Sequence, residues 1–277
     1  MRRPTSILVA LTFLNLPFLF FRANAHGSQS SEKLPERETV EGAFTLRPGT
    51  HVKIFSISGP VEIKTTDGNM ARVHVVRRAR NREDFKRKRF VTEQTATDLR
   101  IGTEESRDLN YNVQVNDHVV LELPRQIQLT ISSVSGSVTA GDVVGPVRAS
   151  SISGPLTIGK VSDAVKLSSI SGPVQVESVA GHLDAASVSG KLSATLARLD
   201  KRGIELNSIS GPVELHFQEQ LNAELEATNI SGRVYLDVPN APMLRSDHTS
   251  DVKVRIGSGG SPISIDNVSG PIRLVQK

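Results

Sequence analysis

One short phrase keeps returning along this chain: serine or asparagine, a β-branched residue, serine, glycine. It reads S-I-S-G-P at Ser56–Pro60, Ser151–Pro155, Ser169–Pro173 and Ser208–Pro212. Variants occupy Ser133–Ser137, Ser187–Lys191, Asn229–Arg233 and Asn267–Pro271. The glycines Gly59, Gly136, Gly154, Gly172, Gly190, Gly211, Gly232 and Gly270 mark the repeat. Their step is 18 residues from Gly136 to Gly190 and 21 for the next two. A fixed period near 20 residues is the mark of a repeat architecture, in which one unit cannot bury its own apolar face and must stack on the next.

Each repeat divides again at Gly145, Asp163 and Gly181, half-way between the main glycines. Residues alternate with period 2 on either side. One half-repeat offers Ile152, Gly154, Leu156 and Ile158, the next Val161, Asp163, Val165 and Leu167, then Ile170, Gly172, Val174 and Val176. Alternation of this kind signals strands with one buried face, and these residues are expected to point inward. A bend at each glycine, which carries no Cβ to clash, restores the inward face from one half to the next. The expected fold is all-β: a single-stranded β-solenoid (β-helix-like) with 18–21-residue coils stacked in parallel about 4.8 Å apart. The glycines are structural turn residues, and the flanking serines supply turn chemistry and ladders. No G-x-S-x-G nucleophile elbow occurs.

The first 25 residues read as a signal peptide. Arg2 and Arg3 form a basic start, Ile7 to Phe21 an apolar stretch, and Ala23-Asn24-Ala25 a cleavage site. The expected mature chain begins at His26 and is exported, to the periplasm or the cell surface, with no transmembrane span left after cleavage. Losing Arg2, Arg3 and Arg22 leaves 30 basic against 29 acidic residues, so the apparent basicity belongs mostly to the signal. The chain has no cysteine, which removes disulfides, thiolate metal sites and thiol catalysis. It has no tryptophan, and few aromatics remain to stack on sugars or bases.

Residues 26–42 are polar and charged and are expected to form a flexible leader, with one solenoid domain over 43–277. The repeat is interrupted at about 71–125. Residues 71–79 alternate as a strand. Over 80–90 the alternation stops, and Asn81 is placed to cap a short helix with Glu83 and Asp84 in its first turn and Lys86 to Arg89 in its last. Strands are expected at 91–104 and 112–123, with loops at 105–111 and 239–250.

These features resemble the bacterial "putative adhesin" family of β-strand-repeat proteins, a domain of unknown function. The resemblance rests on the ladder of S-G phrases, on L-E-L-P-R at Leu121–Arg125, and on the closing G-S-G-G-S-P-I-S-I-D-N-V-S-G from Gly257 to Gly270. It covers roughly residues 40–277. It implies a β-helix-like solenoid in the cell envelope, and no catalytic motif travels with it.

Nine cations, Arg72, Arg77, Arg78, Arg80, Arg82, Lys86, Arg87, Lys88 and Arg89, crowd one stretch against only Glu83 and Asp84. From Arg77 onward they are candidates for contact with an anionic envelope component; the alternative is a solvated face paired with nearby acids. Nucleic acid is excluded by export and by the lack of interleaved aromatics. His26, His51, His74, His118, His182, His216 and His248 show no metal-ligand spacing, so neither a metal nor another cofactor is expected. The acids of the regular coils are Asp142, Asp163, Glu177, Asp184, Glu205 and Glu214; Asp142, Asp163 and Asp184, each 21 residues apart, are expected to drift around an 18-residue coil rather than stack, Asp163 and Glu177 to lie at corners or on the outer face, and no catalytic residues are assigned. The expected function is that of a non-enzymatic, adhesin-like module for binding or structural spacing, its partner an anionic envelope component or another protein. The alternatives are a polysaccharide-degrading β-helix enzyme and a self-assembling envelope scaffold or envelope-stress protein.

Overall fold

The computed structural model describes residues 34–106, 112–239, 241 and 251–276. The expected signal peptide and loop tips at 107–111 and 242–250 lie outside these residues, as does most of the polar leader.

Strand follows strand almost without interruption. The chain runs through β1 (Glu36–Thr45), β2 (Thr50–Ser58), β3 (Val61–Thr66) and β4 (Met70–Ala79) to the short helix α1 (Arg82–Arg87). It continues through β5 (Lys88–Gln94), β6 (Asp98–Glu105) and β7 (Val115–Pro124). Regular coils then follow, each with two strands: β8 (Ile127–Ser135) and β9 (Val138–Ala140), β10 (Val147–Ser153) and β11 (Leu156–Val161), β12 (Val165–Ser171) and β13 (Val174–Val179). Next come β14 (Leu183–Ser189) and β15 (Leu192–Leu196), β16 (Ile204–Ser210) and β17 (Val213–Phe217), β18 (Ala223–Ser231) and β19 (Val234–Asp237). The chain closes with β20 (Asp251–Ile256), β21 (Ser261–Ser269) and β22 (Ile272–Gln276).

Each coil gives one strand to each of two 11-stranded sheets. The first sheet runs β1-β4-β7-β3-β9-β11-β13-β15-β17-β22-β19, the second β20-β18-β21-β16-β14-β12-β10-β8-β2-β6-β5. Coil pairs in parallel with coil, as the period implied: Val147 stands opposite Val165 and Val165 opposite Leu183 on the second sheet, and Leu156 opposite Val174 on the first. The core lies between the sheets. Val147 and Ala149 enter it from one side, Leu156 and Ile158 from the other, and every regular coil repeats the arrangement.

The glycine column holds the bend. Gly154 and Gly172 have φ of 111° and 121°, outside the range of ordinary L residues. A Cβ on Gly172 would drive into the carbonyl of Gly154, and one on Gly154 into that of Gly136. Both the turn and the close stacking therefore demand glycine. Gly59, Gly136, Gly190, Gly211 and Gly270 share the positive φ; Gly232 sits in the same column against the Gly270 carbonyl. Beside the glycine, the first residue of the phrase faces inward from Ser133 onward, and in β2 a register shift puts Ile57 in that place. Ser169 Oγ donates to the Gly172 carbonyl at 3.3 Å and Asn267 Nδ2 to that of Gly270 at 2.9 Å, closing the turn from within.

Three expectations need correction. First, Ile152 and Ile170 point outward. Inward positions before the bend are 147, 149 and 151, and after it 156 and 158, so the change of parity falls between Ser151 and Leu156. Second, part of the expected leader is a strand: β1 begins at Glu36 and pairs antiparallel with β4 along its whole length. It reads as polar because it is an edge strand, and its glutamates answer the arginines of β4 and α1. Third, chain order is not stacking order. The coil β21–β22 lies between β16–β17 and β18–β19.

The interruption at 71–125 builds an end of the stack. Strands β6 and β7 form its outermost coil, beyond β2–β3, while β4, β1 and β5 add antiparallel edges. Asn81 caps α1, its side chain accepting from the Asp84 amide at 3.0 Å. At the other end β20 lies antiparallel on β18. Antiparallel edges break the parallel template that a solenoid end otherwise offers to another chain.

Candidate binding surface

The cationic run is largely absorbed into this end cap. Arg77 is buried: its Nε donates to Asp117 Oδ1 at 2.8 Å, one Nη to Glu38 at 3.0 Å and the other to the Lys88 carbonyl. The rings of Phe85 and Phe90 lie 5.3 and 5.8 Å from its guanidinium carbon. A guanidinium so enclosed is held by charge-assisted bonds and ring faces, and it cannot reach a ligand. Lys88 is also buried, its Nζ donating to Ser58 Oγ at 3.0 Å, and burial pushes its pKa down. Arg80 faces Asp84 and Arg82 faces Glu36; Lys86 and Arg87 both face Glu83, and Arg89 faces Glu104, at 3.3 to 3.7 Å. Arg78 is exposed and stands opposite Arg37 of β1. Neither forms an ion pair among the described residues.

The acids of the regular coils divide between the two sheets and the corners, with Asp184 and Glu205 on neighbouring rungs of the second sheet. Glu177 and Glu214 lie on the first sheet, facing Lys160 and Lys191, whereas Asp184 lies on the second, paired with Lys166. Asp142 accepts from the Lys160 amide at 2.9 Å and Asp163 from the adjacent Ala164 amide, so both serve their corners. Among the described residues, no three His, Cys, Asp or Glu converge on one point.

The surface that stands out was missed by sequence reasoning. The β-branched residue of the glycine phrase projects from the outer face of the second sheet in seven successive coils. In stacking order these are Val134, Ile152, Ile170, Val188, Ile209, Val268 and Ile230, placed side by side by the register of the flanking serines. Each remains 43–71% exposed. Six steps of about 4.8 Å give a stripe roughly 29 Å long. A shallow groove of about 480 Å³ runs beside it, floored by Ser168, Ala186, Asn207, Thr228 and Asp266. Single exposed aliphatics are ordinary, but a contiguous row is the mark of an interaction site. The signal was present in the sequence: in seven of the eight phrases the Ile or Val stands where a solvent-facing residue would be free to vary, whereas Ile57 of the first phrase is buried in the core.

A second outward row runs parallel to the stripe, four residues earlier in each strand. In stacking order it reads Lys53, Thr130, Arg148, Lys166, Asp184, Glu205, Ser264, Glu226. Its charge changes sign once, between Lys166 and Asp184. At the basic end Lys53 donates to Asp98 at 2.6 Å, and this hydrogen bond holds the Asp98 carboxyl below its usual range. His51, beside them, bonds Thr130 Oγ1 at 2.8 Å, and burial lowers its pKa. Arg148 and Glu205 form no ion pair among the described residues.

A family model agrees with this architecture: it is described as Toastrack DUF4097 and matches residues 90–275. No curated protein matches the chain. Among solved structures, a "putative adhesin" from Bacteroides fragilis is 8% identical with a TM-score of 0.42, covering 87% of this chain and 99% of that one. A "putative cell adhesion protein" from Clostridium sporogenes is 12% identical with a TM-score of 0.33, covering 87% and 100%. A "putative lipid binding protein" from Parabacteroides distasonis is 13% identical with a TM-score of 0.31, covering 87% and 97%. Likenesses this loose leave function to be read from the chain's own residues.

Proposed function

The chain belongs to the Toastrack DUF4097 family, and on that premise we propose that it is a non-enzymatic, exported module of the bacterial cell envelope that binds its partner through the aliphatic stripe of the second sheet. The observation that carries this reading is the stripe itself: seven outward β-branched residues in register, which the core does not require. Of the acids that a polysaccharide-degrading enzyme would need, Asp184 and Glu205 are neighbours but Asp184 is tied to Lys166, and the others lie on the first sheet or serve the corners. The parallel stack supplies a rigid support, since each coil is held by its neighbours on both sheets. Export rests on the first 25 residues. Protease treatment of intact cells beside osmotic-shock fractions separates surface from periplasm, and retention in the cytoplasm with an uncleaved N-terminus would refute export.

The binding face is tested with a photoreactive amino acid placed at Ile170 on the stripe or at Gln175 on the opposite, polar face. Irradiation of living cells is expected to give covalent adducts from position 170 and none from 175. No adduct at 170 would remove the stripe as a binding surface.

One observation favours a second contact. Arg37 and Arg78 lie side by side and exposed, a like-charged pair that costs stability in an antiparallel ladder. They suit an anionic envelope component; Arg80, Arg82, Lys86 and Arg89, each facing an acid, belong to the same end of the stack. The double variant R37E/R78E should lose salt-sensitive cosedimentation with phosphatidylglycerol vesicles; if the unmodified chain does not cosediment, this contact is wrong.

A further inference from the structure

We propose that the partner seated on the stripe is a second copy of this chain, turned end for end about a twofold axis that runs along the strands of the second sheet at the level of Val188. This inference rests on the stripe being the binding face and names its occupant.

Three observations lead there. The stripe is open to solvent over its whole length, and Val188 is its midpoint, with three aliphatic rungs on either side. An end-for-end copy therefore lays every rung on another rung: Val188 on itself, Ile170 on Ile209, and the two ends on each other. A surface that complements itself under a twofold rotation forms a closed pair rather than a filament. Two such sheets pack about 10 Å apart, a distance that interdigitated β-branched side chains fill.

The charged row selects the orientation. Its basic residues lie before the midpoint and its acidic residues from the midpoint onward. Reversal sets Lys166 over Glu205 of the second copy and Glu205 over the other Lys166. Arg148 then faces the strand that carries Ser264 and Asp266, and Thr130 faces Glu226. A copy with its coils running the same way is related by an axis along the stack, which carries its charged row to the far side of the stripe, so these opposite-charge pairs form only in the end-for-end arrangement. The one acid at the axis, Asp184, is already paired with Lys166 of its own chain.

The same row argues against an anionic membrane as occupant. Asp184, Glu205, Asp266 and Glu226 would face lipid phosphates along half of the stripe. A second copy meets those acids with cations.

The test is the mass of the mature chain by sedimentation equilibrium, from about micromolar to near-millimolar concentration. The expected result is twice the chain mass, falling toward the single chain on dilution. I170E is expected to be monomeric throughout, with an unchanged circular dichroism spectrum and, at dilutions where both chains are monomers, an unchanged melting temperature, because residue 170 is outside the core. K166E and E205K should each weaken association by about tenfold, since every substitution is counted twice across the axis. The double variant K166E/E205K should regain most of that loss, because the exchanged charges again face their opposites on the other copy. A chain monomeric at every concentration, an I170E variant that still dimerises, or a double variant no better than the single ones would each overturn the proposal. Photoadducts from position 170 keep the two readings apart. Adducts of twice the chain mass support a second copy. Adducts of another mass keep the binding face and overturn the second copy. No adduct overturns both.

Discussion

The same coils produce two outer faces of opposite character. On the first sheet one outward row reads Thr157, Gln175, Ser193, Glu214, Arg273, polar at each of these rungs, and ends on Tyr235. On the second sheet the row beside the bend is aliphatic at every rung from Val134 to Ile230. Inward rows are constrained alike on both sheets, because both fill one core. Outward rows are released from that constraint, so water should favour polar residues in both. The first sheet follows that expectation and the second departs from it, which makes the departure a matter of what the face meets rather than of how the chain folds.

The largest expected effect erases both faces together. Gly172→Val places a branched side chain at positive φ against the Gly154 carbonyl, and it should cost about 3 kcal/mol or more or prevent folding. The control is Gly68→Ala, where the added methyl meets nothing nearer than 4.0 Å. Urea denaturation of the two variants should place the first far below the second; equal midpoints would mean that the glycine column does not hold the stack.

Next is the contrast between inward and outward residues of adjacent coils. Leu156→Ala, at a fully buried position, should cost about 2–5 kcal/mol. Ile170→Ser, outward in the neighbouring coil, should change monomer stability by no more than about 0.5 kcal/mol. If Ile170→Ser matched Leu156→Ala in denaturant midpoint, the stripe would be part of the core and the contrast between faces would fail.

The smallest expected effect is with pH, and it belongs to the second face alone. Burial lowers the pKa of His51 from 6.5, so the folded chain binds fewer protons there than the unfolded one. Its contribution is present above the unfolded value and is lost as pH falls through the folded one. Asp98, held below 3.8 by the hydrogen bond from Lys53, adds a further loss at lower pH. The melting temperature should therefore decline gradually below pH 6.5 and again below the usual carboxylate range. His51→Asn should flatten the first step and leave the second; an unchanged profile would refute the assignment to His51.

Much of the fold was legible because its period is printed in the glycines. The parallel stacking, the two strands per coil, the Asn81 cap and the closing strands all follow from spacing, turn chemistry and alternation. The direction of Ile152 and Ile170 was not legible, since period 2 fails at the residue where the chain bends. Edge strand β1 was hidden by charge: Glu36 and Glu38 are there to meet Arg82 and Arg77, and nothing in 36–42 alone shows which cations they face. The anionic-ligand candidates were legible as a cluster but not as partners. Strand register takes Arg77 to Asp117 across forty residues of chain, and composition cannot show that. The position of β21–β22 was the least legible of all. Every coil carries the same phrase in the same register, so local sequence cannot distinguish one neighbour from another.

That displaced coil has a consequence in time. The ribosome delivers β18 and β19 before β21 and β22, yet in the finished stack the later pair separates the earlier one from β16 and β17. Vectorial assembly, coil added upon coil as each emerges, can proceed only as far as β17. Beyond it the chain must wait, then admit its later segment as a keystone between two courses already made. A chain cut before Ser261 would leave β19 without β22 and β18 with β20 as its remaining neighbour, an unfinished product with an open edge.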